Sequence, residues 1–221
     1  MIVAATGMGR EARILGRYGV TSVVRGSDAR AFRAKLERAI AQGARGIISI
    51  GIAGALNPIL RTGDILIGGA VATPGGFFDT DTAWQERLRA RFPIAKTAII
   101  AAAERIALRR EAKAALFEAT KADAVDLESG IAAELARAHA VPFAILRVVS
   151  DEAATALPAA AEVALDSEGR VKFAALCGSI LARPAQLPQL MQAAGDSRAA
   201  LKALLRCLDF VGRGLAGPDL G

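Results

Sequence analysis

Apolar positions along the chain fall into two rhythms. Short, nearly unbroken apolar runs occupy residues 2–6, 20–24, 46–50, 64–71, 97–103 and 142–149. Runs of this length that are apolar on both faces predict buried strands. Between them the spacing is helical. Phe32, Leu36, Ala39 and Ile40 recur within 28–42, with Gly43 placed to end that helix. Further helices are predicted over 10–15, 82–91, 112–119 and 127–139, the last with Ile131, Leu135 and Ala138 on one stripe. Strands alternating with helices predict an α/β fold: a three-layer sandwich around a mainly parallel central sheet.

After Asp151 the rhythm changes. A Pro- and Ala-rich stretch leads into three helical stretches, 171–182, 185–194 and 197–213, with no strand between them. Leu201, Leu204, Leu205 and Leu208 keep helical spacing beside Lys202, Arg206 and Arg213. One reading is a helix packed on the sheet. The other is a basic amphipathic surface that approaches lipid. No repeat or long linker divides the chain, so residues 1–221 are expected to form one domain, with a core over 1–155 and a helical extension over 156–221.

Composition narrows the chemistry. Aromatics are only 5% of the 221 residues, so the core must be built from Ala, Val, Leu and Ile. The 28 basic and 22 acidic residues leave a charge of +6, spread without a run of five like charges. That argues against nucleic acid as a partner and leaves anionic membrane surfaces open. Two cysteines, Cys177 and Cys207, make neither a disulfide framework nor a zinc ribbon, and their apolar surroundings suggest buried free thiols. The lone histidine, His139, excludes a multi-histidine metal site, and no metal is expected. It lies in Ala138-His139-Ala140 ahead of a strand, a poor place for the base of a Ser-His-Asp triad. The longest uncharged run, residues 46–60, contains Gly and Pro and falls short of the ~18 residues of a membrane span. The N-terminus opens on a strand without a basic leader, which suggests a cytoplasmic protein.

Four segments at predicted strand ends carry candidate chemistry. Gly7-Met8-Gly9-Arg10-Glu11-Ala12 fits the G-x-G-x-x-A dinucleotide turn, and Arg25 ends the second strand where an NADP enzyme places an arginine. A phosphate-binding or purely structural turn fits as well. Asp126 and Glu128 flank Leu127 at a strand-to-helix junction. In an extended segment both carboxylates point the same way, although helix capping also favours acids there. Asp151 follows an apolar strand in Arg147-Val148-Val149-Ser150-Asp151, where it could serve as an acid or as a cap. Gly51-Ile52-Ala53-Gly54 lets a ligand approach the backbone, or makes a tight connection. Caps and turns explain each segment alone better than they explain all four together.

Three of these segments resemble the nucleoside phosphorylase and methylthioadenosine nucleosidase superfamily. Gly51-Ile52-Ala53-Gly54-Ala55-Leu56 with Gly63-Asp64-Ile65 is similar to its glycine turn and G-D-I strand. Val125-Asp126-Leu127-Glu128-Ser129 is similar to its V-[ED]-M-E-[SA] segment, and Arg147-Val148-Val149-Ser150-Asp151 to its R-x-[IV]-S-D segment. The tail, with Thr155-Ala156-Leu157-Pro158 and Arg183-Pro184 followed by Leu187-Pro188, resembles the hopanoid-associated branch, implicated in removing adenine from adenosylhopane.

The resemblance implies roles. Asp151 would protonate or hydrogen-bond N7 of the departing purine, and Glu11 would position an attacking water. Glu128 would hold the ribose hydroxyls, with Leu127, Asp126, Arg147, Ser150 and Gly54 around the nucleoside. Phe78, read with Phe77 as part of the Pro74-Gly75-Gly76 loop, would line an apolar exit for the 5′ substituent, unless both are core or dimer contacts. No cofactor would be needed. If phosphate is the co-substrate, Arg25 and Gly7 would receive it, because Ile52 replaces the Ser or Thr common in the glycine turn. The segment 101–105 also lacks the usual polar, Gly-containing turn. A homodimer is implied, in the cytoplasm or at the inner membrane face. The competing readings are an enzyme of methylthioadenosine or adenosine, an NADP-dependent oxidoreductase, and a non-catalytic nucleoside- or lipid-binding protein.

Overall fold

A computed structural model describes residues 1–107, 109–161 and 166–218, and the expectation for the Cys177 thiol lies outside the described side chains. The strands are β1 (Ile2–Thr6), β2 (Thr21–Val24), β3 (Gly46–Ala55), β4 (Ile65–Thr73), β5 (Gly76–Asp79), β6 (Lys96–Ala102), β7 (Ala124–Asp126) and β8 (Phe143–Asp151). The helices are α1 (Gly9–Leu15), α2 (Ala29–Ala41), α3 (Thr82–Arg91), α4 (Arg110–Thr120), α5 (Ser129–Ala138), α6 (Phe173–Ala182) and α7 (Leu187–Val211). Asp28 and Asp81 start α2 and α3 by accepting from Ala31 N at 2.9 Å and Trp84 N at 2.7 Å.

The α/β class holds, but the sheet is not an open sandwich layer. It is mixed and closes into a ring: β3 pairs with β8, β8 with β4, β4 with β6, β6 with β7, and β7 with β3. The β3–β7, β4–β8 and β4–β5 pairs are antiparallel. Two irregularities supply the curvature. Ser150 is an extra residue of β8 opposite Ala53 and Gly54, and Gly69 an extra residue of β4 opposite β6. Such bulges bend and twist a strand. β3 is long enough to serve two neighbours, pairing with β1 over Gly46–Ser49 and with β7 at Gly54 and Ala55. A count of apolar runs could not show this, because closure depends on which strand ends meet.

Two apolar clusters flank the strands. Phe32 and Leu36 of α2 and Ala132, Ala133 and Leu135 of α5 pack on one side. Leu15, Trp84 and Leu88 pack on the other with Leu204, Leu208 and Val211 of α7. The last two predicted helices are one helix. Gly195 lies inside α7 without breaking it, a cost of about 1 kcal/mol rather than a stop. The apolar stripe of residues 201–211 lies against β3 and β8, which settles that face as packing surface. Phe77 and Phe78 stand in β5, a hairpin strand where a loop was expected. Buried Cys207 is a free thiol, and burial pushes it up to about 11. Among the described residues no helix is long and apolar enough to cross a membrane.

The two halves of α7 should respond differently to truncation. Leu204→Ala, at a fully buried position, should cost about 2–5 kcal/mol in urea unfolding. Met191→Ala, 69% exposed, should change stability by less than about 0.5 kcal/mol. Equal losses would show that the first half is packed as well.

Candidate active site

Ring closure brings the ends of β1, β3, β7 and β8 together, and a buried arginine on β8 connects them. Arg147 has no exposed surface. Its Nε lies 2.8 Å from Asp126 Oδ2, and its Nη2 donates to Glu128 Oε2 at 3.1 Å and Ser49 Oγ at 2.6 Å. The two carboxylates of the β7–α5 junction divide the work. Asp126 caps the helix, with Oδ1 accepting from Glu128 N at 3.2 Å and Ser129 N at 2.9 Å. Glu128 makes no side-chain cap bond and turns toward β1, where a Cβ on Gly7 would meet its Oε1 at 2.9 Å. Capping therefore explains Asp126 and leaves Glu128 to face the site. Leu127, between them, is half-buried.

Glu11 locks the turn on the same side. Its Oε2 accepts from Thr6 Oγ1 at 2.5 Å, Gly7 N at 3.1 Å and Met8 N at 2.9 Å. Its Oε1 accepts from Ile52 N at 3.0 Å. At Gly51, with φ of 154°, a Cβ would lie 2.5 Å from Glu11 Oε1 and 2.8 Å from Arg147 Nη1. Only glycine lets the acid and the arginine converge there. Glu11 and Glu128 fill the space over the Gly7 turn, and their charge opposes a pyrophosphate. The dinucleotide reading fails at that point.

At the β8 end Ser150 donates from Oγ to Asp151 Oδ1 at 2.7 Å. Gly54 gives Asp151 room, since a Cβ there would stand 3.0 Å from Oδ2. No helix begins at Asp151, so it is not a cap. Its partner is Lys113 of α4, absent from the sequence-based set. Lys113 is 1% exposed, and its Nζ donates to Asp151 Oδ2 at 2.5 Å, Glu152 O at 2.8 Å and Thr155 O at 3.1 Å. A signal was available, because Lys113 shares the i, i+3, i+4 stripe of Leu116 and Phe117. Ser49 and Ser129, whose Oγ atoms lie 2.9 Å apart beside Arg147 and Asp126, were also missed. Ser49 is the one polar residue within Ile47–Ile50.

Arg25 follows β2 beside the Gly7 turn, with Gly26 N donating to Gly7 O at 3.1 Å. The guanidinium is buried, and it donates to Gly26 O at 3.0 Å and Glu104 O at 3.1 Å. Its Nε has no partner among the described residues. The segment 101–105 thus reaches the site through a carbonyl. Phe78 is not brought to this cluster. It stacks under Arg137, whose guanidinium carbon stands 4.3 Å from the ring centre, toward the far end of α5 from Glu128. Among the described residues no group of three or more His, Cys, Asp or Glu could hold a metal ion.

The fold and the family comparison together place the chain in the nucleoside phosphorylase and nucleosidase class. The chain belongs to the phosphorylase superfamily, whose family model matches residues 9–183. Solved structures of the same fold include Helicobacter pylori futalosine hydrolase, at 18% identity and a TM-score of 0.60 over 94% of this chain and 98% of that one. Campylobacter jejuni 5′-methylthioadenosine/S-adenosylhomocysteine nucleosidase matches at 20% identity and 0.60 over 93% and 98%. Streptococcus pyogenes S-adenosylhomocysteine nucleosidase, in complex with 5-methylthiotubericidin, matches at 15% and 0.63 over 94% and 95%. No curated protein sequence matches the chain.

Burial pushes Glu128 up to about 7 against the pull of Arg147, with Asp126 and Glu11 adding to the rise and Arg25 opposing it. A carboxyl raised in the folded state loses stabilisation as pH climbs from its unfolded value near 4.5 through about 7. Glu128→Gln should therefore be more stable than wild type at pH 8, by on the order of 1–3 kcal/mol. The advantage should vanish below about pH 4.5. Thermal melts of both proteins across that window test it, and a pH-independent difference would refute the shift.

Proposed function

We infer that this protein cleaves the purine N-glycosidic bond of adenosylhopane and releases adenine in hopanoid lipid biosynthesis. The observation that carries nucleoside cleavage is the convergence of Glu128, Glu11 and Arg147 at one wall and Asp151 with Lys113 at the other. The finer choice of substrate rests on the tail, Arg183-Pro184 with Leu187-Pro188, and its resemblance to the hopanoid-associated branch.

The reaction breaks the C1′–N9 bond, and its electron pair moves into the purine. The proton that N7 receives passes through Asp151, whose Oδ1 accepts from Ser150 and whose Oδ2 accepts from the Lys113 ammonium, the source of that proton. Positive charge grows on the ribose, where the Glu128 and Glu11 carboxylates stabilise it more than they stabilise the ground state. Glu128 also accepts from the ribose hydroxyls, most strongly when it is ionised. An oxygen of phosphate then bonds to C1′; water in the same place would also have to pass a proton to Glu11. Phosphate would rest on buried Arg25, whose Nε has no partner among the described residues, and not on the Gly7 amide, which already donates to Glu11. Glu11 already accepts four hydrogen bonds, which suits a residue that positions the turn better than one that activates water. The same reading implies a cytoplasmic homodimer.

Free adenine should appear when the purified chain meets adenosylhopane in detergent with phosphate, and much less without it. Asp151→Asn should lower kcat by about 10²–10⁴. Lys113→Met should also lower kcat and move its pH profile. Arg25→Met should raise the phosphate KM most. Release that ignores phosphate would make the protein a nucleosidase, and full activity in Asp151→Asn would remove the assigned acid. Preference for methylthioadenosine or adenosine would replace the substrate.

A further inference from the structure

Helix α6 and the first half of α7 form an arm outside both apolar clusters. No described side chain of α6 is buried, and burial along α7 begins only at Ala200. The arm is nonetheless built. Gln186, buried at its corner, donates from Nε2 to Ser179 O at 2.6 Å and Ser179 Oγ at 3.0 Å, and accepts at Oε1 from Ala160 N at 3.3 Å. Those bonds fix the corner between the two helices and fasten it to residue 160 of the body.

The surface this presents is apolar and basic. Helix α6, Phe-Ala-Ala-Leu-Cys-Gly-Ser-Ile-Leu-Ala, has no charged residue. Leu181 is 83% exposed and Met191 69%, with Val171 and Leu187 also exposed. Between Glu168 and Asp196 the charged residues are Arg170, Lys172 and Arg183, with no acid among them. Arg170 pairs with Asp166 and Glu168, so Lys172 and Arg183 are left to bracket α6. A helix that is apolar around its circumference is not a water-facing helix.

We propose that this arm docks the protein on an anionic lipid surface. The charges decide the occupant. A second copy would bring the same surface, without an acid over residues 169–195, on a chain of charge +6, whereas anionic headgroups complement Lys172 and Arg183 around an apolar face. Length decides the mode. Ten residues at 1.5 Å each span about 15 Å, half the ~30 Å hydrocarbon core, so α6 lies in the interface and does not cross it. The arm leaves the body beside the candidate site, where Gly9 N donates to Gly169 O at 3.1 Å and Ser27 N to Asp166 O at 2.9 Å. This is not the face of residues 201–211, which is packed. Docking rests on the arm alone. Only its use in delivering a lipid-linked nucleoside rests on the proposed function.

Flotation of the full chain with vesicles tests it. With equal parts phosphatidylcholine and phosphatidylglycerol, the protein should float at least about tenfold more than with phosphatidylcholine alone, and high salt should weaken the effect. Leu181→Asp with Met191→Asp should abolish flotation while leaving the melting temperature and the release of adenine from water-soluble nucleosides unchanged. Flotation needs no turnover, so it stands or falls separately from the reaction. Failure to float, or double-variant flotation equal to wild type, would overturn the proposal. So would a double variant that only dissociates a dimer in sedimentation equilibrium, which would assign the arm to a second copy.

Discussion

One guanidinium without solvent contact organises the site. Arg147 sits on β8, yet its partners come from β3, β7 and the start of α5. A buried cation is costly unless its hydrogen bonds and charge are answered, and Asp126, Glu128 and Ser49 answer it together. The arrangement does more than neutralise charge. Asp126 is fixed on both sides, by Arg147 and by the α5 amides, so the helix start and the strand cannot slide apart. Glu128 is held from one side only. Its other oxygen faces Gly7 and remains available, on the ionised form, to a ligand. Glu11 has the opposite character: its oxygens are occupied, and it clamps the turn after β1 to the end of β3.

That division depends on ring closure. In an open sheet β7 would lie at an edge, and Asp126 would not reach an arginine on β8. The bulge at Ser150 serves both tasks. It adds the twist that lets β8 serve β3 and β4, and it sets Ser150 and Asp151 side by side so that one orients the other. The acid of the proposed reaction therefore stands where the ladder is irregular, as strained or irregular backbone often does at sites.

Much of this was legible in the chain, and the limits have physical causes. Buried strands announce themselves because both faces are apolar, so β1, β3 and β8 could be read from their side chains, and Asp28 and Gly43 bounded α2. Closure could not be read, since pairing partners leave no mark on a single strand. Phe77 and Phe78 looked like loop because two residues of a four-residue edge strand give no period. The split of α7 at Gly195 overweighted one helix-weakening residue against a long apolar stripe. At the site, Glu128 and Asp126 were visible as a pair, but their different duties follow from which one meets the helix amides. Lys113 was hidden in plain composition: a lysine on an apolar stripe reads as a surface residue until its helix is placed against Asp151.

The positions of Arg25 and Glu128 bear on how the site handles charge. Both lie beside the Gly7 turn, one a cation whose Nε has no partner among the described residues and the other a carboxyl that burial makes reluctant to ionise. Without an anion in the site, proton binding to Glu128 relieves the desolvation cost of its carboxylate. An anion taken up by Arg25 answers the cation but adds negative charge near Glu128, which favours the protonated form further. Binding of a phosphate and ionisation of Glu128 therefore oppose each other, and Arg147, 3.1 Å from Glu128 Oε2, offsets only part of the cost that a further positive charge would relieve. The ribose supplies that charge only as the glycosidic bond breaks. In the proposed reaction, ground-state repulsion between phosphate and Glu128 would ease as the sugar gains positive charge. On that proposal the buried carboxyl contributes to rate as well as to binding.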